Sequence, residues 1–464
     1  MRGTPRRTGT ITATLSACLL FSPVTALADP AAEPIPVRSP EIEGPLPGSA
    51  PGDPDSDDIS RTYPFFSSDA DLTSYGYVEE EFIVSGTANR YGSESVISEH
   101  PYRTRVVVRR PAEPRDSNGT ALVEWQNVTA GYDLDALWAT TADHIMRSGY
   151  TWVGVSAQNV GVSHLAGWSP ARYGDLDVTD GGTVDGDALS YDIFAQSAGV
   201  LRDPHNPLTG GTGLDQILAI GASQSAMFMT TYYEEILPLT EPVFDGYGFM
   251  VGSAPQTPRP EPAFQVLSET DVALPLFGLP EESDTLVRWE VAGAAHSGQA
   301  GREARRSIEE RDLGGQPEYD CLRPPFSRVP LHQVINASYD HLSAWAADGT
   351  APPAAEPIER TAQGGIARDA DGHALGGIRL SQVEAPTALN TGTNTGAGDT
   401  SFFCSLFGTH VPYTGEQLDE RYRGHGDYVS RVREAERRNV LDGYITPADS
   451  RENVREAARS SVGR

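Results

Sequence analysis

Apolar and polar positions alternate over residues 77–84 and 103–109, the period of half-buried antiparallel strands. Farther along, short apolar runs replace the alternation, at 120–125, 152–155, 217–220, 248–251, 264–267 and 286–291. Runs of that length read as strands covered on both faces. Between them Asp133, Leu134, Leu137, Trp138 and Ile145 fall at helical spacing, and 227–237 reads as a second helix. Residues 160–210 are rich in Gly, Asp and Pro and read as long loops with one short helix. Strands alternating with helices predict an α/β fold with a mixed, mostly parallel sheet of about eight strands and helices on both faces. After residue 350, proline-rich turns, a hairpin at Asp371-Gly372 and helical stretches over 415–440 and 446–460 predict an extension, 351–464, packed on a core over 61–350.

The N-terminus changes where this chain is expected to work. Arg2, Arg6 and Arg7 precede an uncharged stretch over 11–24, and Ala26-Leu27-Ala28 has the small-x-small form of a cleavage site. Residues 1–28 therefore read as a secretion signal cleaved near Ala28, which predicts an extracellular protein. The stretch is too short and interrupted to span a bilayer, and no other segment reads as transmembrane. Residues 29–60, dense in Pro and Asp, read as a linker or an extended strap. Cleavage removes Cys18, and the two remaining thiols, Cys321 and Cys404, are expected to form one disulfide in an oxidising compartment. That bond is expected to be structural and remote from any chemistry.

Charge narrows the partners. The chain has 35 basic residues, all arginine, against 64 acidic ones, a formal net charge of −29. Nucleic acid and anionic membrane demand basic surfaces, so neither is an expected partner. The oligomeric state is not legible.

The main chemical signal is Gly221-Ala222-Ser223-Gln224-Ser225, set between an apolar strand and a helix. A nucleophile on such a turn sits in a strained conformation with its hydroxyl raised above the sheet, and small residues must stand two positions to either side. Gly221 and Ser225 meet that need. Centring on Ser225 puts Met227 at the second place, and centring on Ser156 puts Gln158 there, so both rivals fail. The competing reading is an ordinary glycine turn with Ser223 as a helix N-cap. The order nucleophile, acid, base then points to Asp271 and His296, each just beyond a strand. Glu269 is the alternative acid. His296 would deprotonate Ser223, and the acid would fix the imidazole tautomer and stabilise its positive charge. An oxyanion hole would use the N–H of Gln224 and that of Val128 or Thr129, in the loop after strand 120–125. His332 and His341 read as structural, and His164 as a loop histidine. Trp138, Trp168 and Tyr173 read as packing residues, with an acyl pocket as the alternative.

Other chemistries find no support. Asp175, Asp177, Asp180, Asp185 and Asp187 depart from calcium-loop spacing, no His/Cys cluster has zinc spacing, and no phosphate loop can form without Lys. Neither a metal nor another cofactor is expected.

Several stretches resemble a family of bacterial proteins known as the "alpha/beta hydrolase domain" family. They are Tyr77-Val78-Glu79-Glu80-Glu81-Phe82-Ile83-Val84-Ser85-Gly86-Thr87-Ala88, Val123-Glu124-Trp125-Gln126-Asn127-Val128-Thr129, the pentapeptide at Ser223, and Trp289-Glu290-Val291-Ala292-Gly293-Ala294-Ala295-His296. Ala344 to Pro353 and Gly376-Gly377-Ile378-Arg379-Leu380 extend the likeness. The resemblance implies the α/β-hydrolase fold and a serine nucleophile at Ser223, but no substrate. The expected function is a secreted serine hydrolase acting on a small-molecule ester through an acyl-enzyme. An amidase, lactonase or acyltransferase with the same triad, or a non-catalytic extracellular binding protein on this scaffold, are the alternatives.

Overall fold

The computed structural model describes residues 33–48, 62–274, 279–398 and 401–464. The signal segment 1–28 and residues 29–32 and 49–60 of the linker lie outside them. Nine strands form one mixed sheet: β1 (Glu41–Glu43), β2 (Tyr77–Tyr91), β3 (Val96–Pro111), β4 (Thr120–Trp125), β5 (Thr151–Val155), β6 (Gln216–Ala222), β7 (Gly246–Met250), β8 (Ala263–Ser268) and β9 (Leu286–Val291). Their order is β1-β2-β3-β5-β4-β6-β7-β8-β9. β1, β2, β3 and β5 pair antiparallel, and from β5 through β9 neighbours run parallel. The strand beyond the expected count is β1, a piece of the proline-rich segment that pairs Ile42 with Val84.

The continuous apolar runs follow from burial on both faces. Ala121, Val123, Ile217 and Ala219 enter one core with helices Asn159–Trp168, Ser190–Gly199 and Gln224–Thr231. Leu122, Leu218 and Ile220 enter the other with helices Trp138–Ser148 and Leu331–Asp348. Residues 160–210 are more helical than expected. Gly161 serves close packing within the helix Asn159–Trp168: a Cβ at that position would lie 1.8 Å from Asp133 Oδ1.

The expected helix at 133–147 begins instead at Trp138. Its first residues are spent on ion pairs. Arg109 Nη1 donates to Asp135 Oδ2 at 2.6 Å, Arg109 Nε donates to Glu79 Oε2 at 2.7 Å, and the guanidinium lies over the rings of Trp138 and Trp152. Arg105 pairs with Glu81 at 2.5 Å and lies 3.9 Å from Asp133. Both arginines are almost fully buried. Burial pushes the Asp133 carboxyl up to about 6, against the pull of Arg105. Leu137 cannot cap the helix, so Glu124 of β4 accepts the N–H groups of Leu137 and Trp138 at 2.9 and 3.1 Å. The loop from β4 to this helix is thus anchored by buried charge at several points.

The C-terminal extension is sewn to the sheet. Ile378 N–H donates to Glu290 O at 2.7 Å and Ile378 O accepts from Ala292 N, beside the end of β9. Gln333 and Asn453 exchange side-chain hydrogen bonds at 2.9 and 2.8 Å. A disulfide joins Cys321 to Cys404. No helix among the described residues is long and apolar enough to cross a membrane.

Arg109→Met keeps the stem but strands Glu79 and Asp135 as buried, unpaired carboxylates. A loss of about 3–5 kcal/mol is expected in urea unfolding. Arg109→Lys restores little of it, because an ammonium cannot reproduce the two-directional fork.

Candidate active site

The chain moves leftward from β4 to β5 and then to the other side of β4 with β6, so the carboxyl ends of β4 and β6 flank a crevice where the strand order reverses. Open α/β sheets bind ligands at such points. The loop at 126–131 leaves β4 there, and Ser223 follows β6.

Ser223 has φ 58° and ψ −118°, a sparsely populated conformation for a side-chain-bearing residue. Its N–H donates to Met250 O at 2.9 Å, tying the turn to β7. Space around it is minimal. A Cβ on Gly221 would lie 2.6 Å from Met229 Sδ, and one on Gly252 would lie 2.6 Å from Ala226 Cβ and 2.9 Å from Ser223 O. Ser225 is fully buried, and its hydroxyl bonds both the N–H and the C=O of Ala222 at 2.9 and 2.8 Å. The second serine of the pentapeptide therefore braces the turn and does not open to the crevice.

Ser223 Oγ lies 3.0 Å from His296 Nε2, and His296 Nδ1 lies 2.6 Å from Asp271 Oδ1. Asp271 belongs to a capping box on the short helix Glu269–Ala273: its Oδ2 accepts from Ser268 N and Oγ at 2.8 and 2.6 Å. The cap leaves the other oxygen to the imidazole. Thr270 Oγ1 accepts the His296 N–H at 3.1 Å, which orients the backbone that carries the ring. Glu269 faces elsewhere. Its oxygens accept from Gly293 N at 2.7 Å and Arg368 Nη2 at 2.6 Å, so it holds the loop before His296 to the C-terminal extension.

On the opposite side, Asn127 Nδ2 donates to Ala222 O at 2.9 Å and fixes the post-β4 loop against the Ser223 turn. Its Oδ1 accepts the Thr129 N–H at 2.9 Å, so that N–H is engaged within the loop. The Val128 N–H faces Gln224 Oε1 at 3.5 Å, a long contact. Ser223, His296, Asn127 and Thr129 line one cavity of about 570 Å³.

Much of its lining was not expected from sequence. Tyr319, Phe326, Phe402, Phe403 and Phe407 line it, as does His332, whose burial lowers its pKa below the usual histidine range. His332 lies on the helix Leu331–Asp348, as its structural reading expects, and also faces this cavity. Trp138, Trp168 and Tyr173 are buried in the core, His164 lies on the helix Asn159–Trp168 and not in a loop, with its ring tilted against Phe65 and Tyr132, and His341 Nε2 bonds Gly443 O. The disulfide is closer to the cavity than expected, because Cys404 sits on the helix Ser401–Phe407 that supplies part of its wall. Asp177 accepts from Thr179 and Gly181 within its own turn. Among the described residues no His, Cys, Asp and Glu group converges as a metal site.

The pattern that defines the family described as "Alpha/beta hydrolase domain" matches residues 42–455. Among curated proteins no sequence match was found. Solved structures with partial likeness include the carboxylesterase Cest-2923 from Lactobacillus plantarum, with 13% identity, a TM-score of 0.27, and coverage of 40% of this chain and 72% of that one. An alpha-beta serine hydrolase homologue from Coxiella burnetii has 15% identity and a TM-score of 0.26, over 46% of this chain and 90% of that one. A cold-adapted esterase from an Arctic intertidal metagenomic library has 12% identity and a TM-score of 0.27, over 51% and 95%.

Three substitutions separate strain from bonding at the turn. Ser225→Ala leaves the buried Ala222 N–H without its acceptor and is expected to cost about 1–3 kcal/mol in denaturant unfolding. Ser223→Gly relieves the positive φ that Ser223→Ala retains, and is expected to be more stable than Ser223→Ala by about 1 kcal/mol.

Proposed function

The chain belongs to the alpha/beta hydrolase domain family, and on that premise we propose that it is a secreted serine hydrolase that cleaves carboxylic esters through an acyl-enzyme on Ser223. One observation carries this reading: a single line of hydrogen bonds runs from Ser223 Oγ through both nitrogens of His296 to Asp271, at a strained turn opening on a cavity. Nucleophile, base and orienting acid are each within bonding reach of the next.

In the proposed reaction Ser223 Oγ attacks the ester carbonyl carbon while its proton passes to His296 Nε2. The carbonyl electron pair moves onto oxygen. Asp271 keeps the His296 Nδ1–H in place and stabilises the imidazolium. The N–H of Gln224, at the start of its helix, receives the oxyanion. The Val128 N–H joins it once the Gln224 amide swings off its long contact. The Thr129 N–H is the weaker candidate, since Asn127 already takes it. Collapse of the intermediate breaks the C–O bond, and His296 returns the proton to the departing alcohol oxygen. Water, deprotonated by His296, then releases the acid and restores Ser223. Side chains and backbone supply every group, so no cofactor belongs to the proposal.

The acid role falls to Asp271, because Glu269 is spent on Gly293 and Arg368. Export rests on the expected signal at 1–28, with which the Cys321–Cys404 bond is consistent.

Ser223→Ala and His296→Ala are each expected to lower kcat/KM for a p-nitrophenyl ester by at least about 10³-fold, as losses of triad members do. Asp271→Asn is expected to fall by about 10²–10⁴-fold, whereas Glu269→Gln lowers the unfolding midpoint more than turnover. A fluorophosphonate should label Ser223 in the folded wild type. Absence of labelling, or Glu269→Gln more damaging to turnover than Asp271→Asn, would contradict the assignments.

A further inference from the structure

One wall of the cavity is built from two strips of chain far apart in sequence. Residues 319–326 supply Tyr319 and Phe326, and helix Ser401–Phe407 supplies Phe402, Phe403 and Phe407. The rings interlock: Tyr319 and Phe326 lie 4.6 and 4.5 Å from Phe407, Tyr319 lies 5.6 Å from Phe403, and Phe402 lies 5.6 Å from Phe403. The Arg302 guanidinium carbon sits 4.8 Å over the Phe326 ring. The Cys321–Cys404 disulfide joins the two strips, with Cys404 fully buried behind the rings.

This wall is seated on the base. Ser297, next to His296, donates its N–H to Leu406 O at 2.9 Å, and Ser327 donates to Phe407 O at 2.9 Å. A Cβ on Gly408 would lie 2.9 Å from Ala295 Cβ, so the strip lies directly against the residues before the imidazole. The chemistry of the proposed reaction assigns that side. His296 must hand its proton to the departing oxygen, so the alcohol portion of an ester lies toward His296 and the aromatic wall beside it. Phe402 is 52% exposed at the wall's outer end, which leaves an apolar ring at the entrance. A cavity of about 570 Å³ is far larger than a methyl or ethyl group needs, and lies in the size range that encloses a drug-sized apolar ligand.

We propose that the disulfide-joined aromatic wall of Tyr319, Phe326, Phe402, Phe403 and Phe407 is a specificity site that selects esters with a bulky apolar alcohol portion. The inference rests on the serine-hydrolase reading and names its substrate class. Cys321 and Cys404 are positioning residues: their bond holds the two strips together, so the rings need not be ordered when substrate arrives. Offset and edge-on ring contacts make an aromatic alcohol the best-fitting member of the class.

The test compares ethyl acetate with 2-phenylethyl acetate, which share an acyl group and have alcohols of similar basicity. From the transfer of a phenyl-sized group out of water, kcat/KM for the phenylethyl ester should be higher by about 10- to 150-fold. Phe402→Ala, at a half-exposed site that folding tolerates, should cut this ratio at least several-fold. Phe402→Leu should restore part of it. Cys404→Ser, or reduction of the wild type, should also lower the ratio, chiefly through KM for the bulky ester. A ratio near one in a wild type that takes up fluorophosphonate at Ser223 overturns this inference and leaves the nucleophile intact. So does a ratio unchanged by Phe402→Ala. A wild type that takes no label overturns the serine-hydrolase reading, and this inference with it.

Discussion

The proposed site depends on the turn between β6 and the helix that follows, where Ser223 is held at φ 58° and ψ −118°. That conformation raises the hydroxyl above the sheet and places it at the head of a helix. It is sustained by what surrounds it. Gly221 and Gly252 leave no room for a Cβ, Ser225 bonds both polar groups of Ala222, and Met250 accepts the Ser223 N–H. The supports come from β6 itself, from β7 and the residues just after it, and from the helix. The turn therefore exists only while β6, β7 and that helix keep their register. Strain of about 1–3 kcal/mol at one residue is small against the packing that enforces it.

The other groups are brought to Ser223 by separate devices. Asp271 is oriented by a capping box, which uses one carboxylate oxygen and leaves the other for His296. His296 is oriented through its backbone by Thr270 and through Gly293 by Glu269, whose partner Arg368 comes from the C-terminal extension. The post-β4 loop is held on one side by Asn127 to Ala222, and on the other by Asp133 and Asp135 to buried arginines of β3. Buried ion pairs are a weak source of stability in themselves. Here they fix where a loop begins and ends, which is a matter of geometry at the proposed site. The extension is likewise part of that site, through Arg368 and through the helix that carries Cys404.

The fold class was legible, as was the grouping of Ser223, His296 and Asp271 within bonding distance of one another, because their signals are local. A fully buried strand must be apolar on both faces, and a sharp turn must have small neighbours, so 217–225 states its own structure. Asp271 and His296 follow from chain order and strand ends. Glu269 and Asp271 stood as rivals because sequence does not reveal which carboxylate a cap or an arginine already occupies. The aromatic wall was not legible. Phe326 and Phe407 meet at 4.5 Å only because distant strips fold onto each other, and no periodicity marks them. Arg105 and Arg109 have the alternation of a solvent-facing strand face, yet that face is covered by Phe65 and Phe66, whose carbonyls accept from the two guanidinium groups. Alternation gave the strand correctly and could not tell water from a buried carboxylate.

A covalent acyl intermediate on Ser223 is the most direct consequence of the proposed mechanism. The protein would be mixed with excess p-nitrophenyl acetate, quenched in acid during turnover, digested and mapped by mass spectrometry. The acetyl mass is expected on the peptide bearing Ser223, and fragmentation should place it on that residue and not on Ser225. Steady turnover with no acyl group on Ser223, or with the acyl group on another residue, would contradict it.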